Sequence, residues 1–371
     1  MNILTNTVGT ELEQINKALD MEGLPQLKTV SEITSLGEGA WHYAYLVNSS
    51  AEPLVLRLPK KIAYDKEVGF NYDELMSDYA GTHAYYQHAN KAKEGICPKY
   101  FTFFVSEELT YTIESYVGTS VGLGVQTNDQ SRRYGIELGE FFSAIEKLES
   151  PLSGLGYLKW SNGCLSGELD MDIHSFIPQE TEEYSEELET LLESDYEFDK
   201  KRVRHLGDEL IPKRSNEEER LIFTNQDTSP ENMIFTQDRI HIIDPYPIIY
   251  TGPSLAANLV FNYQTTFPTF YNTKRYEKQR YNRHIEQLKK IADGFIEGYV
   301  QDSVEKRDSL QVEVFLKHVT MAYTHLQLLK KDTLNREQEI RYGLKSQIEN
   351  RLEILIERLG KFPLEHKKAA E

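Results

Sequence analysis

Cysteine is scarce. Cys97 and Cys164 are the only two in 371 residues, and no second ligand pair stands near either. A disulfide framework and a zinc site are not expected, and a reducing, cytoplasmic setting is. Long apolar runs are missing as well: no stretch approaches the roughly 18 consecutive apolar residues of a membrane-spanning helix. The opening MNILTNTVGTELEQ has neither a basic start nor an apolar core, so no signal peptide is expected there. Positive charge is in deficit, with a formal net charge of -18 and no basic stripe. Nucleic-acid backbones and anionic membranes would repel such a surface, and neither is expected as a partner. An acidic surface suits a cationic substrate, and it equally serves solubility. No internal repeat occurs. Three catalytic signatures are absent too: the G-x-x-x-x-G-K-[ST] loop of P-loop enzymes, the G-x-S-x-G elbow and the H-E-x-x-H helix.

What is present is 39% hydrophobic and 27% charged residues, the balance of a soluble globular chain long enough for two domains. A helical stretch around 11–20 ends at Gly23 and Pro25. Short apolar runs at 33–36, 43–47 and 54–58, bounded by Gly, Pro, Asn or Ser, read as antiparallel strands. A helix over 72–93 and two further strands, 100–105 and 110–116, complete an α+β unit before Gly118. Beyond it the periodicity is helical: 134–148, an acidic run over 179–199 that reads as a solvated face, then 278–300, 310–331 and 336–359. The tail from His366 is expected to fray.

The chemistry-bearing stretch is LIFTNQDTSPENMIFTQDRIHIID, residues 221–244. An apolar run leads into Asp227, a turn holds Pro230, and Asn232 opens a hairpin whose returning strand ends at Asp244. Asn232 and Asp244 thus flank the open end of one hairpin and are expected to be neighbours. An amide oxygen and a carboxylate so placed suit Mg²⁺, a hard ion usually shared with nucleotide phosphates. Asp227, five residues before Asn232, can face the same point and take a proton from an attacking hydroxyl.

The Asp227-Thr-Ser-Pro-Glu-Asn232 spacing resembles the protein-kinase catalytic loop. The whole segment is more similar to the aminoglycoside phosphotransferase and choline-kinase family, in which an H-G-D-x-x-x-x-N loop, a hairpin and an apolar-Ile-Asp metal motif follow one another. Asn225 and Gln226 stand where that family has His and Gly. Its later Gly-Asp-Pro is echoed by Gly252-Pro253 without the Asp, and Glu146 or Lys147 stands where a Leu-His ends the family's helix.

The resemblance implies a bilobal protein-kinase-like fold, with a small antiparallel β lobe (1–117) and a larger, mainly helical lobe (118–371). The larger lobe would hold the catalytic loop at 224–244 and a substrate-side helical insertion at 151–220. It implies ATP or GTP as co-substrate and a small-molecule hydroxyl acceptor. Gly37 and Gly39 would cover the phosphates, since glycines let backbone amides approach anions closely. Arg57, in Leu54-Val-Leu-Arg-Leu-Pro59, would steady the α/β-phosphates with a permanent, bidentate charge. Its carboxylate partner belongs on the following helix. Glu67, Glu74 and Asp78 are possible there, and Glu74 is preferred. Backbone groups of Glu114, Ser115 and Tyr116 would meet the nucleotide base. Asp227 would be the base, and Asn232 and Asp244 the metal ligands. A catalytically silent nucleotide-binding or scaffold protein is the alternative, as is a protein kinase. Against the latter, Asp244 is followed by Pro-Tyr-Pro rather than Phe-Gly, and no Ala-Pro-Glu follows.

Overall fold

In the computed structural model, which describes residues 3–39, 41–48, 52–63, 66–214 and 220–363, helix α1 (Ile3–Met21) precedes strands β1 (Ile33–Glu38), β2 (His42–Val47) and β3 (Leu54–Pro59). A short hairpin of β4 (Ile62–Ala63) and β5 (Lys66–Glu67) leads to α2 (Tyr72–Ala92), then β6 (Phe101–Phe104) and β7 (Tyr111–Ser115). Strands β1-β2-β3-β7-β6 form one antiparallel sheet in that order. Side chains alternate across a strand, and that alternation sorts the residues by face. Tyr45, Val47, Leu54, Leu56, Leu58, Tyr111 and Ile113 share one face and pack with Ile15, Ala18 and Leu19 of α1. His42, Arg57, Thr112 and Glu114 therefore point to the other face, where α2 brings Tyr79 and Tyr86.

The sheet stops where the sequence indicates, but two stretches differ from expectation. The stretch 151–220 is not purely helical: β8 (Leu155–Ser161) and β9 (Cys164–Leu169) form a hairpin ahead of α4 (Ile173–Glu193) and α5 (Lys200–Leu210). Its turn is Asn162-Gly163, both at positive φ (53° and 77°), the residue pair that a tight hairpin favours. This hairpin joins β10 (Leu221–Asn225) and β13 (Pro247–Thr251) in a sheet of order β10-β13-β8-β9. The expected hairpin between them is β11 (Met233–Phe235) with β12 (Ile240–Ile242). The single helix expected over 336–359 is two, α10 (Arg336–Tyr342) and α11 (Lys345–Gly360), because Gly343 at φ 78° ends the first. The tail expected to fray lies outside the described residues.

The chain divides into two compact units. One comprises Met1–Ser120, Ser150–Glu168 and Phe223–Ile249; the other comprises Val121–Glu149, Leu169–Ile222 and Tyr250–Glu371. The second unit contains α3 (Asn128–Ile145), α4, α5, α6 (Gly252–Phe261), α7 (Phe267–Phe270), α8 (Ile285–Val300), α9 (Val304–Lys330), α10 and α11. Leu188, Leu191, Val203, Leu206, Phe315, Leu352 and Leu355 anchor its core across α4, α5, α9 and α11. Among the described residues no helix is long and apolar enough to cross a membrane.

Helices α3 and α8 approach at backbone distance. Gly135 and Gly139 on α3 face Gly294 and Gly298 on α8, and a Cβ at any of the four would come within 3.0 Å of the opposite helix's main chain. At the end of α3, Glu146 binds Lys306 (2.8 Å) and the Tyr299 hydroxyl, and its carboxylate fills the space a side chain at Gly252 would need. Exposed Gly→Ala changes inside helices normally stabilise by about 1 kcal/mol. Gly139→Ala is expected to do the opposite, lowering stability by about 2 kcal/mol through overpacking against rigid backbone. Urea unfolding of the two proteins checks the sign, and an increase in stability would contradict the close approach.

Candidate active site

The 224–244 segment is tied together by its own polar groups. Asn225 ends β10 and is buried. Its Nδ2 donates to the Asp227 carbonyl (2.7 Å), while its Oδ1 accepts from the backbone amides of Asp227 (3.0 Å) and Tyr246 (2.7 Å). The Gln226 amide donates to the Tyr246 carbonyl (3.0 Å), so the loop before Asn232 and the turn after Asp244 are stitched side by side. Asp227 Oδ1 accepts from the Ser229 amide (3.0 Å), a local turn that fixes the carboxylate's direction. Asn232 closes the short 3₁₀ turn Pro230–Asn232 and enters β11.

The hairpin brings Asn232 and Asp244 together as the sequence indicates. The Ile243 amide donates to the Asn232 carbonyl (3.0 Å), and Asn232 Nδ2 donates to the Asp244 carbonyl (3.2 Å). With its nitrogen so engaged, the Asn232 amide offers its oxygen as a ligand atom. Asp244 is exposed and adopts φ 46°, the left-handed region that non-glycine residues rarely occupy. Among the described residues no cluster of three or more His, Cys, Asp or Glu is arranged for a metal. Two hard oxygens from Asn232 and Asp244 fit Mg²⁺, which commonly takes one or two protein ligands and fills its shell with phosphate and water.

The sheet face opposite α1 supplies the rest. Arg57 pairs with Glu114 (Nη2 to Oε1, 2.5 Å), and the Tyr86 hydroxyl donates to Glu114 Oε2 (3.0 Å). The same hydroxyl accepts from the Asp244 amide (3.1 Å). Burial disfavours the Arg57 charge, but Glu114 and then Asp244 outweigh it and hold its pKa above the ordinary value. The carboxylate of Arg57 therefore comes from the neighbouring strand and not from Glu74. Arg57 lies opposite Thr112, which makes Glu114 its diagonal neighbour on one face. Glu74 is exposed in the first turn of α2, where it exchanges hydrogen bonds with the N-cap: its amide donates to Asn71 Oδ1 (3.3 Å), and its Oε2 accepts from Asn71 Nδ2 (3.2 Å).

Three residues at this face have no part in the sequence-derived site: Tyr86, His42, whose Nε2 lies 2.8 Å from the Tyr79 hydroxyl, and Tyr79 itself. Asp78, a possible partner of Arg57 by sequence, is not the carboxylate that Arg57 meets. Tyr79 and Tyr86 are seven residues apart, two helical turns on one face, and that spacing was the available signal. Burial first, with Arg57 and Lys60 adding to it, pushes the His42 pKa down to about 4 against the pull of Asp244. Asp78 is reached by solvent but sits in a recess with Ser77, Tyr157, Leu158, Tyr246 and Pro247. Desolvation in that recess, then Glu74 and Asp244, push its pKa up to about 6. His83 packs on Phe101 and Phe103, and His88 on Phe223.

Gly37 takes φ 116° beside a bulge in β1, with open space where a Cβ would stand, and the Gly39 amide closes the turn onto the His42 carbonyl (3.0 Å). At the expected base-binding stretch the Ser115 amide donates to the Tyr100 carbonyl (3.0 Å) and the Tyr116 amide to that of Pro53 (3.1 Å). Both N–H groups are used within the sheet, and the Glu114 side chain is turned to Arg57.

No family model matches the chain, and no curated protein does. Solved structures do match. A thermostable mutant of aminoglycoside phosphotransferase APH(4)-Ia, in ternary complex with ADP and hygromycin B, superposes with a TM-score of 0.52 at 15% identity, covering 94% of this chain and 99% of that one. A second mutant of the same protein, with AMP-PNP and hygromycin B, gives 0.52 at 15% identity over 94% and 98%. The chain therefore has the protein-kinase-like fold of these phosphotransferases, as its sequence motifs imply.

Two outcomes follow from the site's geometry. Asn225→Ala strands two part-buried amides and a carbonyl, and is expected to lower stability by about 2 kcal/mol, whereas Asn225→Asp keeps both acceptor bonds and costs less. Denaturant unfolding distinguishes them. His42 is held neutral, so its contribution is full above pH 6.5 and is lost as pH falls toward about 4. His318 and His325, also pushed down to about 4, add to the same acid limb. His42→Asn should flatten that limb without abolishing it when unfolding midpoints are measured between pH 7 and 4.

Proposed function

We propose that this protein is a small-molecule kinase, moving the γ-phosphoryl group of ATP or GTP to a hydroxyl of a small acceptor. The observation that carries the reading is the convergence of Asp227, Asn232, Asp244 and Arg57 within one compact unit, tied by Asn225 and Tyr86. Phosphoryl transfer asks little covalent chemistry of a protein and depends on position and charge. Asp227, oriented by Ser229, would orient the acceptor hydroxyl and take its proton. Arg57 would steady the α/β-phosphates, and the Gly37–Gly39 turn would cover them, its glycines leaving room for a close approach. Asn232 and Asp244 would hold Mg²⁺, which when bound would supply positive charge against the phosphates. The APH(4)-Ia structures, with ADP or AMP-PNP and hygromycin B bound, support a nucleotide and a small-molecule acceptor as the two substrates.

The test combines calorimetric titration of ATP and GTP, with and without Mg²⁺, and transfer assays on aminoglycosides, macrolides, choline-like alcohols and sugars. Asp244→Ala should abolish Mg²⁺-dependent nucleotide binding. Asp227→Asn should bind nucleotide within about twofold of wild type but lose roughly 10²–10⁴ in turnover, the usual worth of a positioned base. Metal-independent binding without turnover on any acceptor would favour a silent nucleotide-binding protein. No nucleotide binding at all would sink the kinase reading.

A further inference from the structure

We propose that Glu114 and Tyr86 are positioning residues that couple Arg57 to Asp244, so that phosphate capture by the one and metal capture by the other strengthen each other. The inference rests on the nucleotide-binding reading above and adds to it a pair of residues and a linkage.

The polarity of the chain of contacts is fixed by its ends. The Asp244 amide can only donate, so the Tyr86 oxygen must accept from it (3.1 Å). The single hydroxyl proton of Tyr86 is then left for Glu114 Oε2 (3.0 Å), and Glu114 Oε1 takes Arg57 (2.5 Å). Glu114 and Tyr86 are each 2% exposed, so water does not compete for these bonds. The sequence of contacts runs Asp244 N–H to Tyr86 O–H to the Glu114 carboxylate to the Arg57 guanidinium.

Two physical consequences follow. Asp244 holds a left-handed backbone at φ 46°, an unfavourable conformation for a residue with a Cβ, and its peptide groups are pinned on both sides: the amide by Tyr86, the carbonyl by Asn232 (3.2 Å). Tyr86 thus helps set where the Asp244 carboxylate points. The second consequence is the linkage. When Arg57 turns toward phosphate, its claim on Glu114 weakens, and the carboxylate accepts more strongly from Tyr86. The polarised hydroxyl oxygen then accepts more strongly from the Asp244 amide, because consecutive hydrogen bonds in a dry setting reinforce one another. Binding couplings are reciprocal, so a metal seated at Asp244 must in turn favour nucleotide at Arg57. The through-space attraction between Arg57 and Asp244 exists as well, but removing one hydroxyl leaves it in place.

Tyr86→Phe isolates the hydroxyl while keeping the ring. The experiment measures ADP affinity of the full chain by calorimetry, first in EDTA and then at saturating Mg²⁺, with thermal unfolding to confirm that each protein is folded. Wild type is expected to bind ADP more tightly with Mg²⁺. In Tyr86→Phe that Mg²⁺ enhancement should shrink by about tenfold, the equivalent of one lost hydrogen bond of about 1.4 kcal/mol. The affinity in EDTA should stay within about twofold, a split that a merely structural role would not produce. Glu114→Gln, which keeps the side chain's shape and removes its charge, should shrink the enhancement too and serves if the phenylalanine variant does not fold. An enhancement equal to wild type in the folded variants overturns the inference and leaves the kinase reading standing. So does equal weakening with and without Mg²⁺. Wild-type protein that binds no ADP under either condition overturns the kinase reading and the inference with it.

Discussion

The backbone of Asp244 is the constraint on which the site depends. A β-strand ending in ordinary extended geometry would carry the next residue on along the strand. At φ 46° the chain instead turns sharply after β12, exposes the Asp244 carboxylate and sends Tyr246 back to Asn225. Such a conformation persists only where the surroundings hold it. Here the holders are side chains from separate elements: Tyr86 from α2 on the amide, and Asn232 from the foot of β11 on the carbonyl. The strain is local, and the groups that oppose it are themselves placed by the sheet and the helix around them.

Placement by the sheet comes from alternation. Alternate residues of β2, β3 and β7 (Tyr45 and Val47, Leu54, Leu56 and Leu58, Tyr111 and Ile113) pack under α1, and that alternation leaves the intervening residues on the other face. Arg57 and Glu114 are the charged residues of β3 and β7, and the register that sets Arg57 opposite Thr112 makes them diagonal neighbours. A one-residue slip of β3 against β7 would bury the apolar set wrongly and part this pair. The packing of α1 thus protects the polar geometry on the far face without touching it.

This division explains what the sequence could disclose. Asp227, Asn232 and Asp244 are legible because a short hairpin brings them together, and hairpin geometry is local. Arg57 is legible from its strand. Its partner is not, since the choice between Glu74 and Glu114 depends on a register between strands more than fifty residues apart. Glu74 is drawn instead to Asn71, three residues before it, where the helix N-terminus offers unsatisfied groups. Asn162-Gly163 is a local hairpin signal for β8–β9, while the acidic run after it signals only a solvated helix, so 151–220 carries two signals of different kind. The glycines of α3 and α8 were visible at four-residue spacing too, yet only the packed pair shows which backbone each one meets.

Just ahead of Asp227, Asn225 and Gln226 show which groups hold the loop in place. A histidine at position 225 would offer one donor and one acceptor. Asparagine offers both on one short side chain, and all three of its hydrogen bonds go to backbone groups of Asp227 and Tyr246. Gln226 contributes through its main chain, donating to the Tyr246 carbonyl, and its φ is not positive. Glycine's special freedom is therefore not used at that position, and a side chain costs the backbone nothing. The loop asks for a donor–acceptor pair at 225 and an ordinary peptide at 226, and this sequence meets both demands. The direction of Asp227 thus rests on the side chain of Asn225 and the main chain of Gln226.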